Sequence, residues 1–258
     1  MSETGSRVRI ATYNVHKCRG MDRRVRPGRV ASVLREVGAD IVALQEVVSV
    51  EDTRTRERHQ AHFIAEELGL HCRIGENRRH DGGAYGNVVL SRWPFRHSHN
   101  YDITWRGREP RGALRVDVEV EAAGGARHLL HVFNIHMGTA YIERRFQGRR
   151  LVSPDILCDE TLRAGSRVVL GDFNEWTRGL ATRLLGQELV SADLREHLPR
   201  ARTYPGVLPF LHLDHIYFDR TLRLERLWLH RGLNALVASD HLPLVADFVL
   251  PETEEVGG

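Results

Sequence analysis

Short apolar runs recur along the chain, and segments with helical periodicity lie between them. Apolar or alternating runs bounded by glycine, proline and charged residues predict β-strands. The predicted strands are Val8–Tyr13, Ile41–Glu46, Asn87–Ser91, Ala113–Glu121, Leu129–His136, Val168–Gly171, Leu213–Phe218 and Leu244–Leu250. The strands Ala113–Glu121 and Leu129–His136 follow one another directly, separated by a turn at Gly124 and Gly125. This pattern favours a mixed α/β chain with hairpins over strict alternation of strand and helix.

Three segments have the apolar spacing of helices. The predicted helices are Arg29–Val37, His59–Leu68 and the shorter Leu180–Leu185. Pro27 precedes the first as a start signal, and Gly38 and Gly69 follow the first two as stop signals. The predicted loops are Arg19–Arg26, Ser49–Arg58, Glu76–Tyr85, His97–Gly112, Thr139–Asp155 and Pro199–Phe210.

No linker rich in proline, serine or charge divides the chain, so residues 1–258 are expected to form one domain. We expect its core to span residues 7–250 and the acidic tail 251–258 to fray. Hydrophobic residues make up 41% of the chain, which is enough for a sizeable core. Because no apolar run approaches the roughly 20 residues of a membrane-spanning helix, no transmembrane segment is predicted.

The N-terminal segment and the cysteines bear on the cellular compartment. Met1–Ile10 lacks the apolar stretch of a secretory signal. Cys18, Cys72 and Cys158 are scattered without C-x-x-C spacing, so neither a disulfide framework nor a cysteine zinc site is predicted. A cytoplasmic location is therefore expected.

The net charge of +3 is compatible with a polyanionic partner but does not require one. Lysine and arginine together number 37, and Lys17 is the only lysine. Guanidinium groups match phosphate oxygens bidentately, which favours phosphate recognition. A general bias of composition toward arginine explains the same count, so the arginines alone do not decide the function.

Polar side chains end six separate apolar segments. They are Asn14 and His16, Glu46, Asn134 and His136, Asp172 and Asn174, Asp214, and Asp240 with His241. A single residue of this kind is usually a turn or cap residue. Buried carboxylates need partners, however, and convergence of the whole set at one edge of a sheet is a simpler explanation than six independent turns.

These residue types indicate a particular chemistry. Carboxylate and amide oxygens are hard ligands that suit Mg²⁺ or Mn²⁺. Histidine beside aspartate supplies an oriented imidazole for charge stabilisation or proton transfer. A hard cation with an Asp/His pair and amides is typical of phosphate-ester hydrolysis by a positioned water.

Several motifs in order along the chain resemble the endonuclease/exonuclease/phosphatase superfamily. They are Thr12-Tyr-Asn-Val-His16, Leu44-Gln-Glu-Val47, Asn134-Ile-His136, Gly171-Asp-Phe-Asn174, Leu213-Asp-His-Ile216 and Ser239-Asp-His-Leu-Pro243. The resemblance extends from Arg7 to Leu250. It implies a four-layer αββα sandwich, in which two packed mixed β-sheets are flanked by helices.

The resemblance also implies roles for the motif residues, beginning with the metal and the phosphate. Glu46 matches the principal metal ligand, Asp240 a metal-site carboxylate, and Asn14 a residue close to both metal and phosphate. Asn174 matches the residue that binds the phosphate, and Arg111 resembles an arginine that faces the substrate phosphate. An ordinary loop arginine is the alternative for Arg111. The implied cofactor is Mg²⁺ or Mn²⁺.

Four further residues match the catalytic groups of the family. Asp172 matches the carboxylate that positions or deprotonates the attacking water. His241 matches the imidazole that contacts the scissile phosphate, and Asp214 the carboxylate that orients it. His136 matches the second histidine of deoxyribonuclease-like and sphingomyelinase-like members, where abasic-site enzymes have tyrosine. Because no carboxylate lies near Tyr85–Val88 to orient it, His136 is expected to be held by an amide or to be less basic.

The expected function is metal-dependent hydrolysis of a phosphodiester in DNA or RNA. The alternatives are a phospholipid or sphingolipid phosphodiesterase with a lipid headgroup as substrate, a phosphomonoesterase, and an inactive binding protein. Retention of all the motif residues argues against the inactive protein. Arg144, Arg145, Arg149 and Arg150 are candidates for contact with an anionic substrate, and Trp105 for stacking on a base or insertion into lipid; solvated arginines and a packing tryptophan are the alternatives.

Overall fold

The computed structural model describes residues 6–50, 56–80, 82–121, 125, 127–175, 179–192, 203–204 and 211–251. Most of the predicted loop Pro199–Phe210 and all of the predicted tail except Pro251 lie outside these residues. Within them the chain forms two six-stranded mixed sheets with helices against their outer faces. This arrangement confirms the predicted αββα sandwich.

The first sheet contains both ends of the described chain. Its strands are β1 (Arg7–Asn14), β2 (Ile41–Ser49), β3 (His71–His80), β4 (Gly83–Ser91), β11 (Arg223–Leu229) and β12 (Leu244–Val249). They lie in the order β11-β12-β1-β2-β4-β3. The pair β1 and β2 is parallel, and the other pairs of this sheet are antiparallel.

The second sheet is built from the middle of the chain. Its strands are β5 (Phe95–Asp102), β6 (Gly112–Glu121), β7 (Arg127–His136), β8 (Ser166–Asp172), β9 (Val190–Ser191) and β10 (Asp214–Phe218). They lie in the order β5-β6-β7-β8-β10-β9, with β7 and β8 parallel. The predicted hairpin is present as the antiparallel pair β6 and β7.

The main core lies between the sheets and extends beneath three helices. The helices of the described chain are α1 (Pro27–Val37), α2 (Gln60–Leu68), α3 (Tyr141–Leu151), α4 (Leu180–Glu188) and α5 (Ala235–Ala238). Side chains of β7 alternate, so Val132 joins the main core and Phe133 joins a second core beneath α3 and α4. None of the described helices is long and apolar enough to cross a membrane.

Three predicted loops are wrong. The segment Glu76–Tyr85 contains the end of β3 and the start of β4, His97–Gly112 contains most of β5, and Thr139–Asp155 contains α3. Both β3 and β5 are edge strands with many exposed polar side chains, so their apolar signal is weak. The helix α3 carries four arginines and has no continuous apolar face.

Candidate active site

Strand register alone places three of the candidate residues side by side. In the parallel pair of β7 and β8, His136 lies opposite Asp172. In the antiparallel pair of β8 and β10, Asp172 lies opposite Asp214. The three residues therefore lie on neighbouring strands of the second sheet, at the same end of those strands.

Gly171 permits the close approach of β7 and β8 at this edge. Its φ angle is 147°, and a Cβ atom at this position would lie 1.8 Å from the carbonyl oxygen of Ile135. A side chain at position 171 would therefore push the two strands apart. This contact gives a physical reason for the glycine of the Gly-Asp-Phe-Asn motif.

The first sheet meets this edge through Asn14. Its Nδ2 atom donates to Oδ2 of Asp172 at 3.0 Å and to Oε1 of Glu46 at 3.2 Å. Ser239 donates its hydroxyl to the Asn14 carbonyl at 2.7 Å, and its Oγ lies 3.3 Å from Oδ1 of Asp240. The structure thus brings the candidates from both sheets into one cluster.

Asp172 lies at the centre of the cluster and is 2% exposed. Its Oδ2 atom is 3.6 Å from Nε2 of His241 and 3.7 Å from Nε2 of His136. Burial raises the pKa of Asp172 above its usual range, although His241 and the Asn14 amide oppose the shift. A carboxylate with a raised pKa is a better proton acceptor than an ordinary one.

His241 is held by Asp214. Its Nδ1 atom lies 2.9 Å from Oδ2 of Asp214, whose side chain is fully buried. Burial alone would lower the pKa of His241, but the negative charges of Asp214 and Asp172 raise it to about 10. His241 is therefore an imidazolium at neutral pH. The ring of Tyr204 packs against it, with centroids 4.9 Å apart.

His136 has a different environment, because a guanidinium contacts it. Nη1 of Arg111 lies 3.0 Å from Nδ1 of His136, and Nη2 donates to Glu109 at 2.9 Å. Burial and the charge of Arg111 lower the pKa of His136 to about 3, so the ring is neutral. A neutral ring that accepts at Nδ1 carries its proton on Nε2, the atom that faces Asp172. A guanidinium therefore orients this histidine, and of the two expected alternatives the lowered pKa agrees with the less basic ring.

Glu46 lies at a bulge in β2, where the register with β4 shifts between Leu44 and Val47. Its φ angle is 57°, a conformation that costs a non-glycine residue about 1–3 kcal/mol. Burial raises the pKa of Glu46, but His136, the Asn14 amide and the Lys17 ammonium outweigh this effect and lower it to about 2. The bulge therefore presents an ionised carboxylate to the cluster.

Glu46, Asp240 and Asn14 are compatible with a hard divalent cation. Within the described part of the chain, no three or more His, Cys, Asp or Glu residues form a group that could hold a metal ion. Mg²⁺ needs no such cage, because it is usually bound by one or two carboxylates and retains several waters. The Asn14 oxygen accepts from the backbone N–H of His16 at 3.0 Å and has a second lone pair.

Asn174 lies beside the cluster in a left-handed backbone conformation, with φ at 49°. Its backbone N–H donates to Oδ1 of Asp172 at 2.9 Å, and its side-chain amide donates to the carbonyl of Met137 at 2.9 Å. These bonds fix the turn after β8. They also hold the Asn174 amide next to Asp172.

Two functional features carried too little sequence signal to be assigned. Gln45 and Asn134 form a buried link between the sheets, since Gln45 donates to Asn134 at 2.7 Å and Asn134 donates to the carbonyls of Leu44 and Val88 at 2.8 Å. The second feature is Lys17, whose Nζ lies 3.6 Å from Oε2 of Glu46. The only indication of this residue in the sequence was that it is the single lysine of the chain.

Two substrate-contact candidates have structural partners instead. Arg144 is 5% exposed and donates to the carbonyls of Gly138 and Thr139. The ring of Trp105 packs on Phe146 of α3, with centroids 4.9 Å apart. Arg144 therefore anchors the start of α3, and Trp105 packs against that helix.

Comparisons with known proteins identify the family of this chain. The model of the endonuclease/exonuclease/phosphatase family matches residues 11–241. The YbhP protein of Escherichia coli K12 is 30% identical over 256 residues, which cover 94% of this chain and 96% of that protein.

Solved structures share the fold at lower identity. A family protein from Bacteroides thetaiotaomicron has a TM-score of 0.76 at 16% identity, with 100% of both chains covered. A mannosyl-6-phosphatase from B. thetaiotaomicron VPI-5482 has a TM-score of 0.72 at 17% identity, covering 94% of this chain and 100% of that one. The solved structures show the shared fold, whereas the matched family model and the similarity to YbhP show that the chain belongs to the endonuclease/exonuclease/phosphatase family.

Proposed function

We propose that this protein is a Mg²⁺- or Mn²⁺-dependent phosphodiester hydrolase that cleaves DNA or RNA. The observation that carries the proposal is the placement of Asp172 between two imidazole Nε2 atoms, at 3.6 Å from His241 and 3.7 Å from His136. Family membership supports phosphate-ester hydrolysis in general. The choice of nucleic acid rests on the arginine-rich segments near the cluster.

Each residue has a part in the proposed reaction. Asp172 positions a water molecule and accepts its proton as the water attacks phosphorus. The ester bond from phosphorus to the leaving oxygen breaks, and that oxygen takes a proton from solvent and departs as a hydroxyl. His241, an imidazolium paired with Asp214, donates to a phosphate oxygen and stabilises its developing charge. His136 donates from Nε2 to a second phosphate oxygen. A Mg²⁺ or Mn²⁺ ion held by Glu46, Asp240 and Asn14 would neutralise charge on the phosphate.

Arg111 and Asn174 complete the proposed phosphate site. Arg111 is 7% exposed, and its Nε has no hydrogen-bond partner among the described residues. A buried N–H group without a partner costs free energy unless a ligand accepts from it. A phosphate oxygen is a suitable acceptor. Asn174, beside Asp172, is the proposed amide contact to the same phosphate.

The test is incubation of the purified protein with supercoiled plasmid and with RNA in the presence of Mg²⁺ or Mn²⁺. Nicked and linear DNA, or shortened RNA, is the expected product. Asp172→Asn is the inactive reference. Asp219→Asn is the matched control, because Asp219 pairs with Arg167 beyond the opposite end of β10. Intact DNA and RNA at high protein concentration would contradict the proposal.

A phospholipid phosphodiesterase is the second candidate. The exposed large hydrophobic side chains of the described residues are Met21, Val25, Tyr141, Ile142, Leu233 and Val237. All of them lie on segments that closely follow Asn14 or His136 or closely precede Asp240. Exposed apolar side chains on arginine-containing segments suit an anionic lipid surface.

A substrate panel separates the two candidates. Release of a phosphorylated headgroup from phospholipid vesicles, with nucleic acid left intact, would favour the lipid enzyme. Release of inorganic phosphate from sugar phosphates would favour a phosphomonoesterase, the activity for which the mannosyl-6-phosphatase with the same fold is named.

A further inference from the structure

Lys17 is exceptional among the basic residues of this chain. The chain has 37 lysine and arginine residues, and all of them except Lys17 are arginine. The one lysine lies at the active site, with Nζ 3.6 Å from Oε2 of Glu46. An ammonium is a compact point charge on a flexible stem, whereas a guanidinium is a planar fork that needs more room. The side chain beside Glu46 is therefore a compact ammonium and not a guanidinium.

The backbone that carries Lys17 is strained and held in place. His16, Lys17 and Cys18 have φ angles of 45°, 57° and 55°, which cost L-residues roughly 1–2 kcal/mol each. Gln60, which is 5% exposed, donates to the Lys17 carbonyl at 2.9 Å and accepts from the backbone N–H of Val48 at 3.0 Å. The fold thus maintains an unfavourable turn that brings the ammonium close to Glu46.

A cavity of about 480 Å³ begins at Lys17, a volume in the usual range of ligand sites. Its charged lining is Lys17, Arg19, Arg23, Arg58 and Glu57, and its apolar lining is Val25, Pro27, Val48 and Val50. Cations therefore outnumber carboxylates among the side chains that line it.

Two of these arginines are available to a ligand. Within the residues that the structure describes, no carboxylate pairs with Arg19 or Arg23. Arg19 donates only Nε, to the carbonyl of Arg23 at 3.3 Å, which leaves both of its Nη groups for another acceptor. A phosphate offers oxygen atoms to such a fork and to an ammonium at the same time.

We propose that this cavity is a second anion subsite, which binds a phosphate group next to the scissile one. Lys17 lies between the two sites and contacts both the Glu46 carboxylate and the second phosphate. Arg19 and Arg23 bind the far side of that phosphate, and Val25 and Val48 face the adjoining sugar or base. The inference rests on the proposed function, because a nucleic acid strand carries such neighbouring phosphates.

The first experiment uses the single lysine and needs no enzymatic turnover. Pyridoxal 5′-phosphate and pyridoxal form imines with amines, and borohydride reduces each imine to a stable adduct. Lys17 offers the only side-chain amine, so peptide mass spectrometry separates its adduct from that of the chain's α-amino group, which serves as the internal reference. Both reagents are applied at equal concentration to the same preparation.

The expected result is labelling of Lys17 at least about tenfold faster by the phosphorylated reagent, relative to the α-amino group, and protection by inorganic pyrophosphate. The variant with Arg19→Ala and Arg23→Ala should lose most of this preference. Arg163→Ala is the matched control, because Arg163 is 82% exposed and pairs only with Glu160 in the described structure. Equal labelling by both reagents, or no protection, would overturn the subsite.

The second experiment measures substrate preference. A dinucleotide with an additional terminal phosphate should have a kcat/KM at least about tenfold higher than the dinucleotide without it. The increase should come from a lower KM. The gain should fall in the Arg19→Ala variant and persist in Arg163→Ala. If neither a 5′ nor a 3′ terminal phosphate raises kcat/KM while the plasmid is cut, the subsite fails and the proposed function stands. If Lys17 is labelled selectively by the phosphorylated reagent but nucleic acid is not cleaved, the subsite stands and the proposed function fails.

Discussion

Nδ1 of His241 lies 2.9 Å from Oδ2 of Asp214, and this bond links the second sheet to the segment that enters a strand of the first sheet. Asp214 begins β10, whereas His241 lies just before β12. This bond gives the imidazole a fixed orientation and the charge that keeps it protonated. The geometry of the proposed site therefore depends on the way in which the two sheets pack.

Asp214→Asn should lower kcat at least about 100-fold, since the neutral amide no longer stabilises the imidazolium. In metal-free protein, the pKa of His241 should fall from about 10, because the carboxylate that raises it most is removed. Histidine proton resonances followed by NMR against pH measure this change. An unchanged His241 titration would show that Asp214 does not set its charge.

Asp172→Ala should lower kcat at least about 100-fold while the protein remains folded. Asp172→Asn should be similarly inactive yet more stable at pH 7 without added metal, because burial disfavours the charged carboxylate. A gain of 1 kcal/mol corresponds to about 2–4 °C in Tm for a chain of this size. Thermal unfolding by circular dichroism measures it, and wild-type turnover by either variant would refute the assigned role.

Asn174→Gly and Asn174→Ala both remove the side-chain amide, but they differ in backbone strain. The φ angle of 49° at this position is free for glycine and costs alanine roughly 1–2 kcal/mol. The glycine variant should therefore be the more stable of the two by about 1 kcal/mol, and both should lose activity. Urea unfolding of the pair measures the difference, and equal stabilities would contradict the strain.

Chelation with EDTA should abolish hydrolysis, and added Mg²⁺ or Mn²⁺ should restore it. Glu46→Gln should weaken Mn²⁺ binding at least about tenfold, or 1.4 kcal/mol, because a neutral amide replaces an ionised carboxylate. Isothermal titration calorimetry measures the affinity. Glu36→Gln is the control, since Glu36 is bonded to His230 on the surface. Equal affinity of wild type and Glu46→Gln would remove Glu46 from the metal site.

A second buried charge cluster predicts the acid dependence of stability. Asp117 accepts from Arg115 at 2.9 and 2.7 Å, and its Oδ1 lies 2.9 Å from Nδ1 of His131. Burial raises the pKa of Asp117, but the bonds from His131 and Arg115 outweigh it and lower the pKa to about 2. A carboxyl whose pKa is lower in the folded state contributes stability at neutral pH and loses it as the pH falls from about 4 to 2.

Asp117→Asn should therefore destabilise the protein by roughly 3 kcal/mol at pH 7, because it removes the closer of the two carboxylates that pair with the buried Arg115. The difference from wild type should shrink as the pH approaches 2. Urea unfolding at several pH values measures both effects. A difference that does not vary with pH would mean that the charge of Asp117 does not stabilise the fold.

The sequence predicted the strands that are buried on at least one face, because their apolar periodicity is strong. It did not predict β3, β5 or β11, which are edge strands with polar, exposed positions. Nor did it predict α3. This helix has no regular apolar face, and it is held by the buried Arg144 and by its contact with the second core. In these elements tertiary contacts, which a local pattern does not contain, determine the conformation.

The candidate residues were recognisable because each ends an apolar run, and the motifs supplied their order. Their partners were not recognisable. The contact between Arg111 and His136 joins positions 25 residues apart, and the strained φ of Glu46 depends on a bulge against β4. These features arise from register and packing between distant segments, so the spacing of residue types does not reveal them.

The position of β12 between β1 and β11 affects how the protein is made. The strand β1 lacks its antiparallel neighbour until β12 has been synthesised, and Ser239 and His241 lie just before that neighbour in the chain. The nascent protein thus carries an open strand edge in an incomplete sheet, which favours misassociation. The candidate site should therefore be complete only after β12 has paired with β1.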